Sequence, residues 1–309
     1  MAFMCLARAA ALLFAASGAA GAEQAVAIPD PSVALHARFA TLKDELSHNQ
    51  FHRPLYMESS EGADGVKGEI YALVDHPFAA AGPALDQPSE WCDILILHLN
   101  TKYCRPSANN GQAVLHVMIG KKFDQPVDQA YRVNFNFRAA ARTATYLQVT
   151  LGAAEGPLGT SDYRIVLEAA PSGDGRTIMR LSYSYSFGLA GRLAMQAYLG
   201  TVGRNKVGFA VVGRQSDGQP EYVGGMRGVV ERNTMRYYLA IEAYLGALSV
   251  PPAARMEKSL VDWFVASEGF ARQLHEMEQG EYLAMKRKEY ARQNAETLTG
   301  LAAAARHGG

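Results

Sequence analysis

From Ala113 to Val212 the apolar residues recur at period two through six segments: Ala113 to Lys121, Tyr131 to Phe137, Ala144 to Leu151, Asp162 to Ala169, Thr177 to Phe187 and Lys206 to Val212. Alternation of this kind is the signature of a strand with one buried face. The connections read as too short for crossover helices, which makes the strands antiparallel neighbours. PSGDGR at 171 to 176 supplies a hairpin turn, its glycines permitting positive φ, while Pro126 and Gly156-Pro157 interrupt other connections. An earlier strand lies in GVKGEIYALVDHPF, with Val66, Gly68, Ile70, Ala72 and Val74 on one side and Lys67, Glu69, Tyr71, Leu73 and Asp75 on the other. The sequence therefore predicts a seven-stranded antiparallel sheet.

Helical spacing flanks these strands. His36 to Ser47 predicts a short amphipathic helix, followed by the irregular FHRPLYMESSEGADG. Pro77 to Pro88 reads as a short helix or turn, and Trp91 to Leu99 as a second helix on which Trp91, Leu95 and His98 share a face. After the strands, Gly224 to Leu248 predicts a long helix with Val230, Tyr237, Ile241 and Tyr244 in one stripe and Arg232, Arg236 and Glu242 on other faces. Pro251 and Pro252 stop it, because proline has no amide to donate. A curved sheet under such a helix encloses either a filled core or a cavity.

The order of elements, with EIYALVDHPFAAAGPALDQPSEWCDIL as first strand and helix pair and ERNTMRYYLAIEAYL as closing helix, resembles the START-like or SRPBCC superfamily, which includes polyketide cyclases. The resemblance spans Phe51 to Leu248 and implies an α+β helix-grip fold. It also implies a tunnel for a hydrophobic or amphipathic ligand between sheet and helix. RTIMRLSYSYSFG offers a lining: Met179, Leu181, Tyr183, Tyr185 and Phe187 on one face, with Arg180, Ser182, Ser184 and Ser186 on the other. The candidate ligand-binding residues are those five, Arg180 as a polar contact, and Arg236, Tyr237, Ile241 and Tyr244 of the long helix. The alternative is a filled core with its serines in water. An inward Arg236 requires an acid or a ligand carboxylate to offset desolvation. In YRVNFNFR, Tyr131, Val133, Phe135 and Phe137 oppose Arg132, Asn134, Asn136 and Arg138, which are expected to face solvent.

The N-terminal MAFMCLARAAALLFAASGAAGAEQ reads as a secretory signal peptide cleaved after Ala22, giving a periplasmic or secreted protein. Cleavage removes Cys5 and leaves Cys92 and Cys104, for which an oxidising compartment favours a disulfide. It also removes Arg8, taking the 30 basic and 30 acidic residues to 29 against 30, a formal charge of −1. Nothing in that balance holds a polyanion, and no nucleic-acid motif is present.

No catalytic constellation stands out. Ser182, Ser184 and Ser186 lack a GxSxG elbow, GTVGRNKVG lacks the phosphate-loop pattern, and the eight histidines include no HExxH pair. His98 and His116 border apolar sequence and are expected to be structural. No metal or other cofactor is expected. Residues 23–65 form the lead-in, 66–250 the helix-grip domain, 251–299 a helical extension and 300–309 a flexible tail. Leu260, Trp263, Phe264, Ala271, Leu274 and Met277 give the extension an apolar stripe, which packs on its own domain or docks transiently to a membrane or another protein through residues 252–292. The function expected is binding or carriage of a lipid, sterol-like or polycyclic molecule. The alternatives are a cyclase- or hydrolase-like enzyme acting on such a ligand and a noncatalytic protein-interaction module.

Overall fold

Alternate faces of one large sheet meet two different helical layers. The computed structural model describes residues 30–109, 111–201 and 203–307, so the expected signal peptide lies outside the described residues. Helices α1 (Pro31–Thr41) and α2 (Lys43–Ser47), with Leu42 between them, supply Leu35, Phe39, Leu42 and Leu46. Spacings of four, three and four put these side chains on one side, where they cover Tyr71, Tyr146, Ala170 and Ile178 of the sheet's outer face.

Strands β1 (Leu55–Glu61) and β2 (Gly65–Val74) form an antiparallel hairpin, Leu55 opposite Ala72 and Glu61 opposite Val66. The chain then crosses through α3 (Phe78–Leu85) and α4 (Pro88–Leu95) to the far edge of the sheet. From there β3 (Thr101–Asn109), β4 (Gln112–Ile119), β5 (Tyr131–Arg142), β6 (Leu147–Glu155), β7 (Thr160–Pro171) and β8 (Thr177–Phe187) meander back until β8 pairs with β2. The order is β1-β2-β8-β7-β6-β5-β4-β3, all antiparallel. The predicted turn at 171 to 176 joins β7 to β8, with Gly173 and Gly175 at φ 88° and 90°.

Eight strands replace the seven expected. β1 lies in the stretch read as irregular and β3 in the run after the helix pair. Lys206 to Val212 does not join the large sheet: Val211–Arg214 is β9, paired only with β10 (Pro220–Tyr222) after α5 (Leu189–Gly200). The cause is local. The amides of Phe209 and Ala210 donate to the buried Glu231 carboxylate, and that of Gly208 to the Val223 carbonyl at 2.7 Å. Backbone donors committed in this way cannot continue a ladder.

The long helix α6 (Gly225–Ala247) lies across the inner faces of β1, β2 and β8. It passes close to Gly68, where a Cβ would collide with Thr234 Oγ1. The resulting architecture is the α+β helix-grip arrangement implied by the sequence resemblance, with β1 added at one edge.

The extension is three helices, α7 (Pro252–Glu268), α8 (Ala271–Leu274) and α9 (Gln279–His307), and the backbone of residues 300–307, expected as a flexible tail, is part of α9. Leu260, Trp263 and Leu274 are buried in the main core, with Phe264 and Met277 packed against it, so the apolar stripe is used within the chain. No helix among the described residues is long and apolar enough to cross a membrane.

The Cys92–Cys104 disulfide joins α4 to β3 across a Cα–Cα distance of 5.2 Å. α9 closes over the loop it makes. Tyr282 donates to the Leu97 carbonyl at 2.9 Å, and Lys286 to the carbonyls of His98 and Thr101, each at 2.7 Å. Glu289 is shared between Lys286 at 2.8 Å and Lys102 at 3.1 Å, all three side chains being sequestered from solvent.

Candidate functional site

The inward side chains of β8 change character along the strand. Met179 and Leu181 are fully buried beside Leu167, Ala169 and Ile241 in a filled core. Tyr183 and Tyr185, two and four residues on, border a cavity of about 250 Å³. The sequence alternatives, filled core and lined pocket, thus hold for successive parts of one strand.

β7, β8, α5, α6 and three loops build the cavity, α5 contributing Gly191. β7 contributes Thr160 and Tyr163, β8 contributes the two tyrosines, and the loops bordering β3, β4 and β7 contribute Asn100, Lys122, Pro157 and Leu158. α6 contributes Val229, Arg232, Asn233 and Arg236, a series at i, i+3, i+4 and i+7 that shares one helix face. Tyr163 stacks on Tyr185 with ring centroids 5.2 Å apart, and Tyr183 meets Tyr237 edge-on at the same separation. Such pairs stabilise by about 0.5–1.5 kcal/mol beyond the area they bury. Tyr237 is in turn stacked on His98 at 4.9 Å.

Burial raises the Tyr183, Tyr185 and Tyr237 hydroxyls above their ordinary value, so these rings are neutral phenols at neutral pH. Tyr163 shares a 2.8 Å hydrogen bond with Thr160, whereas the buried Tyr185 hydroxyl has no protein partner. His98 lies behind the wall. Its Nδ1 accepts the Asn100 amide at 3.1 Å. Burial first, then the charges of Arg236, Lys286 and Lys122, hold its pKa well below the ordinary imidazole value.

The cavity wall also carries cationic side chains. Arg236 is 1% exposed, and its guanidinium donates to Glu276 at 2.8 Å and to the Leu274 carbonyl at 3.3 Å. Glu276, from the α8–α9 connection, is therefore the acid that an inward Arg236 requires. The same carboxylate meets Lys122 and, at 3.3 Å, Lys206. Burial acts to raise the Glu276 carboxyl, but Lys122 and Arg236 outweigh it and hold the group below its usual range. Burial and then the repulsion of Arg236 push the Lys122 ammonium down to about 8, against the attraction of Glu276. Arg232, 2% exposed, donates to the Val207 carbonyl at 3.0 Å.

Of the residues singled out in the sequence, Tyr183, Tyr185 and Arg236 line this cavity, with Tyr237 and Phe187 packed behind Tyr183 and Tyr185 respectively. Met179, Leu181 and Ile241 are core. Arg180 is placed apart from them on the outer face, paired with Glu69 and Glu168 beneath Tyr71. Tyr244 is separate too, its hydroxyl donating to Glu90. Arg132, Asn134, Asn136 and Arg138 are exposed, as expected. His116 bridges Ser107 and Asn134 at 2.8 Å each on that outer face. Among the described residues no group of three or more His, Cys, Asp or Glu side chains could hold a metal ion.

Sequence reasoning named Arg236 but missed Tyr163, Lys122, Asn100, Thr160 and the other cavity-facing residues of α6, Val229, Arg232 and Asn233. Tyr163 was legible, since it shares parity with the inward Ile165 and Leu167. Lys122 and Asn100 carry no such signal, because the tertiary course of two loops brings them together.

No family model matches the chain, and no curated protein matches it. Similar solved structures include norcoclaurine synthase from Thalictrum flavum, at 12% identity over 48% of this chain and 88% of that one, TM-score 0.32. Another is Ara h 8.0201, at 12% identity over 62% of this chain and 99% of that one, TM-score 0.34. Human StAR-related lipid transfer protein 5 is similar at 7% identity over 55% and 89%, TM-score 0.30.

Proposed function

We propose that this protein binds and carries an amphipathic small molecule in the cavity beneath α6, without transforming it. The observation that carries the proposal is the cavity's mixed wall, which combines three tyrosine rings with amide and cationic side chains. Rings bury area at low entropic cost while a few polar groups fix orientation, as in small-molecule sites generally. At about 250 Å³ the cavity falls just under the usual range of roughly 300–1,000 Å³. It suits a compact polycyclic body or one end of a longer lipid.

The place of action proposed is the periplasm or the extracellular space. The Cys92–Cys104 bridge supports an oxidising compartment, in keeping with the expected cleavage after Ala22. Native mass spectrometry of protein purified from its own cells, followed by organic extraction, tests the function. A stoichiometric bound mass released on denaturation is expected. A ligand-free spectrum, together with no binding across representative lipids and polycyclic compounds, would reject carriage.

A further inference from the structure

We infer that the cargo is an anion: a carboxylate, sulfonate or phosphate group seated against Lys122, Arg232 and Arg236, with its apolar body on Tyr163, Tyr183 and Tyr185. This rests on the reading of the cavity as a ligand site. Among the described residues the lining contains three cationic side chains and no carboxylate. Glu276, the acid that pairs with two of them, lies behind the wall and is shared with Lys206 as well. Among the described residues Glu276 is thus shared by three positive groups.

The placement of the arginines is hard to explain otherwise. Like charges at i and i+4 on one helix face repel, and here both are nearly sealed from water, where repulsion is least screened. Their guanidinium groups are held by the Val207 carbonyl, the Leu274 carbonyl and Glu276. They are thus fixed before any ligand arrives, which lowers the ordering cost of binding. Asn233 borders the same cavity, and an anion accepts from Lys122, Arg232 and Arg236.

Calorimetric titration at pH 7 with 2-naphthoate and its neutral isostere 2-naphthamide separates this inference from the reading beneath it. Both should bind, with naphthoate about tenfold tighter and losing that advantage at high salt, since one charge-assisted hydrogen bond is enough for a factor of this size. Lys122→Met should reduce naphthoate affinity several-fold and leave naphthamide unchanged, and Arg236→Gln should do the same if it folds. Equal affinity of the two probes for the parent protein would overturn the anion while leaving the cavity as a ligand site. Binding of neither, by protein whose circular dichroism is that of the folded chain, would overturn both. The comparison of probes on the parent protein decides the matter even where a variant fails to fold.

Discussion

Asp93 stands on α4 near Glu90, Tyr244 and Tyr290. Burial, and secondarily the charge of Glu90, raises its carboxyl from 3.8 to about 7. A folded-state pKa above the unfolded one means that the native protein holds the proton more tightly. The stability this contributes is complete below pH 3.8 and is lost as pH rises through about 7. Asp93→Asn should therefore be more stable than the parent at pH 8 by about 1–2 kcal/mol, and equal to it at pH 3.5. The magnitude follows from roughly 1.4 kcal/mol per pKa unit, reduced because the side chain keeps some solvent contact. Urea unfolding at the two pH values checks this, and equal stability at pH 8 would count against the burial of Asp93. Tyr185→Phe tests a second residue. Removing a buried hydroxyl that has no protein partner should stabilise the ligand-free protein by about 1 kcal/mol. A lower melting temperature would mean that the hydroxyl is satisfied.

The element α9 is held to the sheet through its buried Lys102–Glu289–Lys286 cluster. Glu289→Gln leaves two buried ammonium groups without their counterion and should cost about 3–5 kcal/mol. Replacing all three residues by methionine should recover part of that loss, because no buried charge remains while the His98 and Thr101 carbonyls lose the Lys286 donor. A harmless Glu289→Gln substitution would show that α9 is not docked as described. The disulfide beneath it closes a twelve-residue separation, so the Cys92→Ala, Cys104→Ala double variant should lose about 3 kcal/mol. Protein cleaved after Ala22, as proposed, should be alkylated at two thiols after reduction and at none before it. These strands also explain where the sequence was readable. Strands β2 and β4 to β8 were found because their sequences alternate, although β2 and β8 are buried on both faces over most of their length. β1 escaped notice because it is an edge strand whose Glu58, Ser59, Ser60 and Glu61 hide the alternation. β3 escaped because Pro106 argues against a strand, yet the opposite edge tolerates a residue with no amide to donate. The stripe chosen on α6 came from hydrophobicity, whereas the face turned to the cavity bears Arg232, Asn233 and Arg236, of which only Arg236 was named as a binding residue from the sequence. That face is polar and nevertheless inward, which periodicity of apolar residues cannot signal.

At the scale of the molecule, α1 and α2 cover the sheet from outside and α6 covers it from inside, so the sheet has no wholly wet face where these helices lie. Most of the space under α6 is filled by side chains, and the opening is confined to the end where Tyr183 and Tyr185 replace Met179 and Leu181. The central claim is that this opening holds a molecule. It is tested most directly by a crystal structure of protein purified from its own cells with nothing added. Continuous non-protein density against Tyr163, Tyr183 and Tyr185, reaching toward Lys122, is the predicted result. A cavity containing only separate water molecules, or one closed by the tyrosine rings themselves, would contradict the claim.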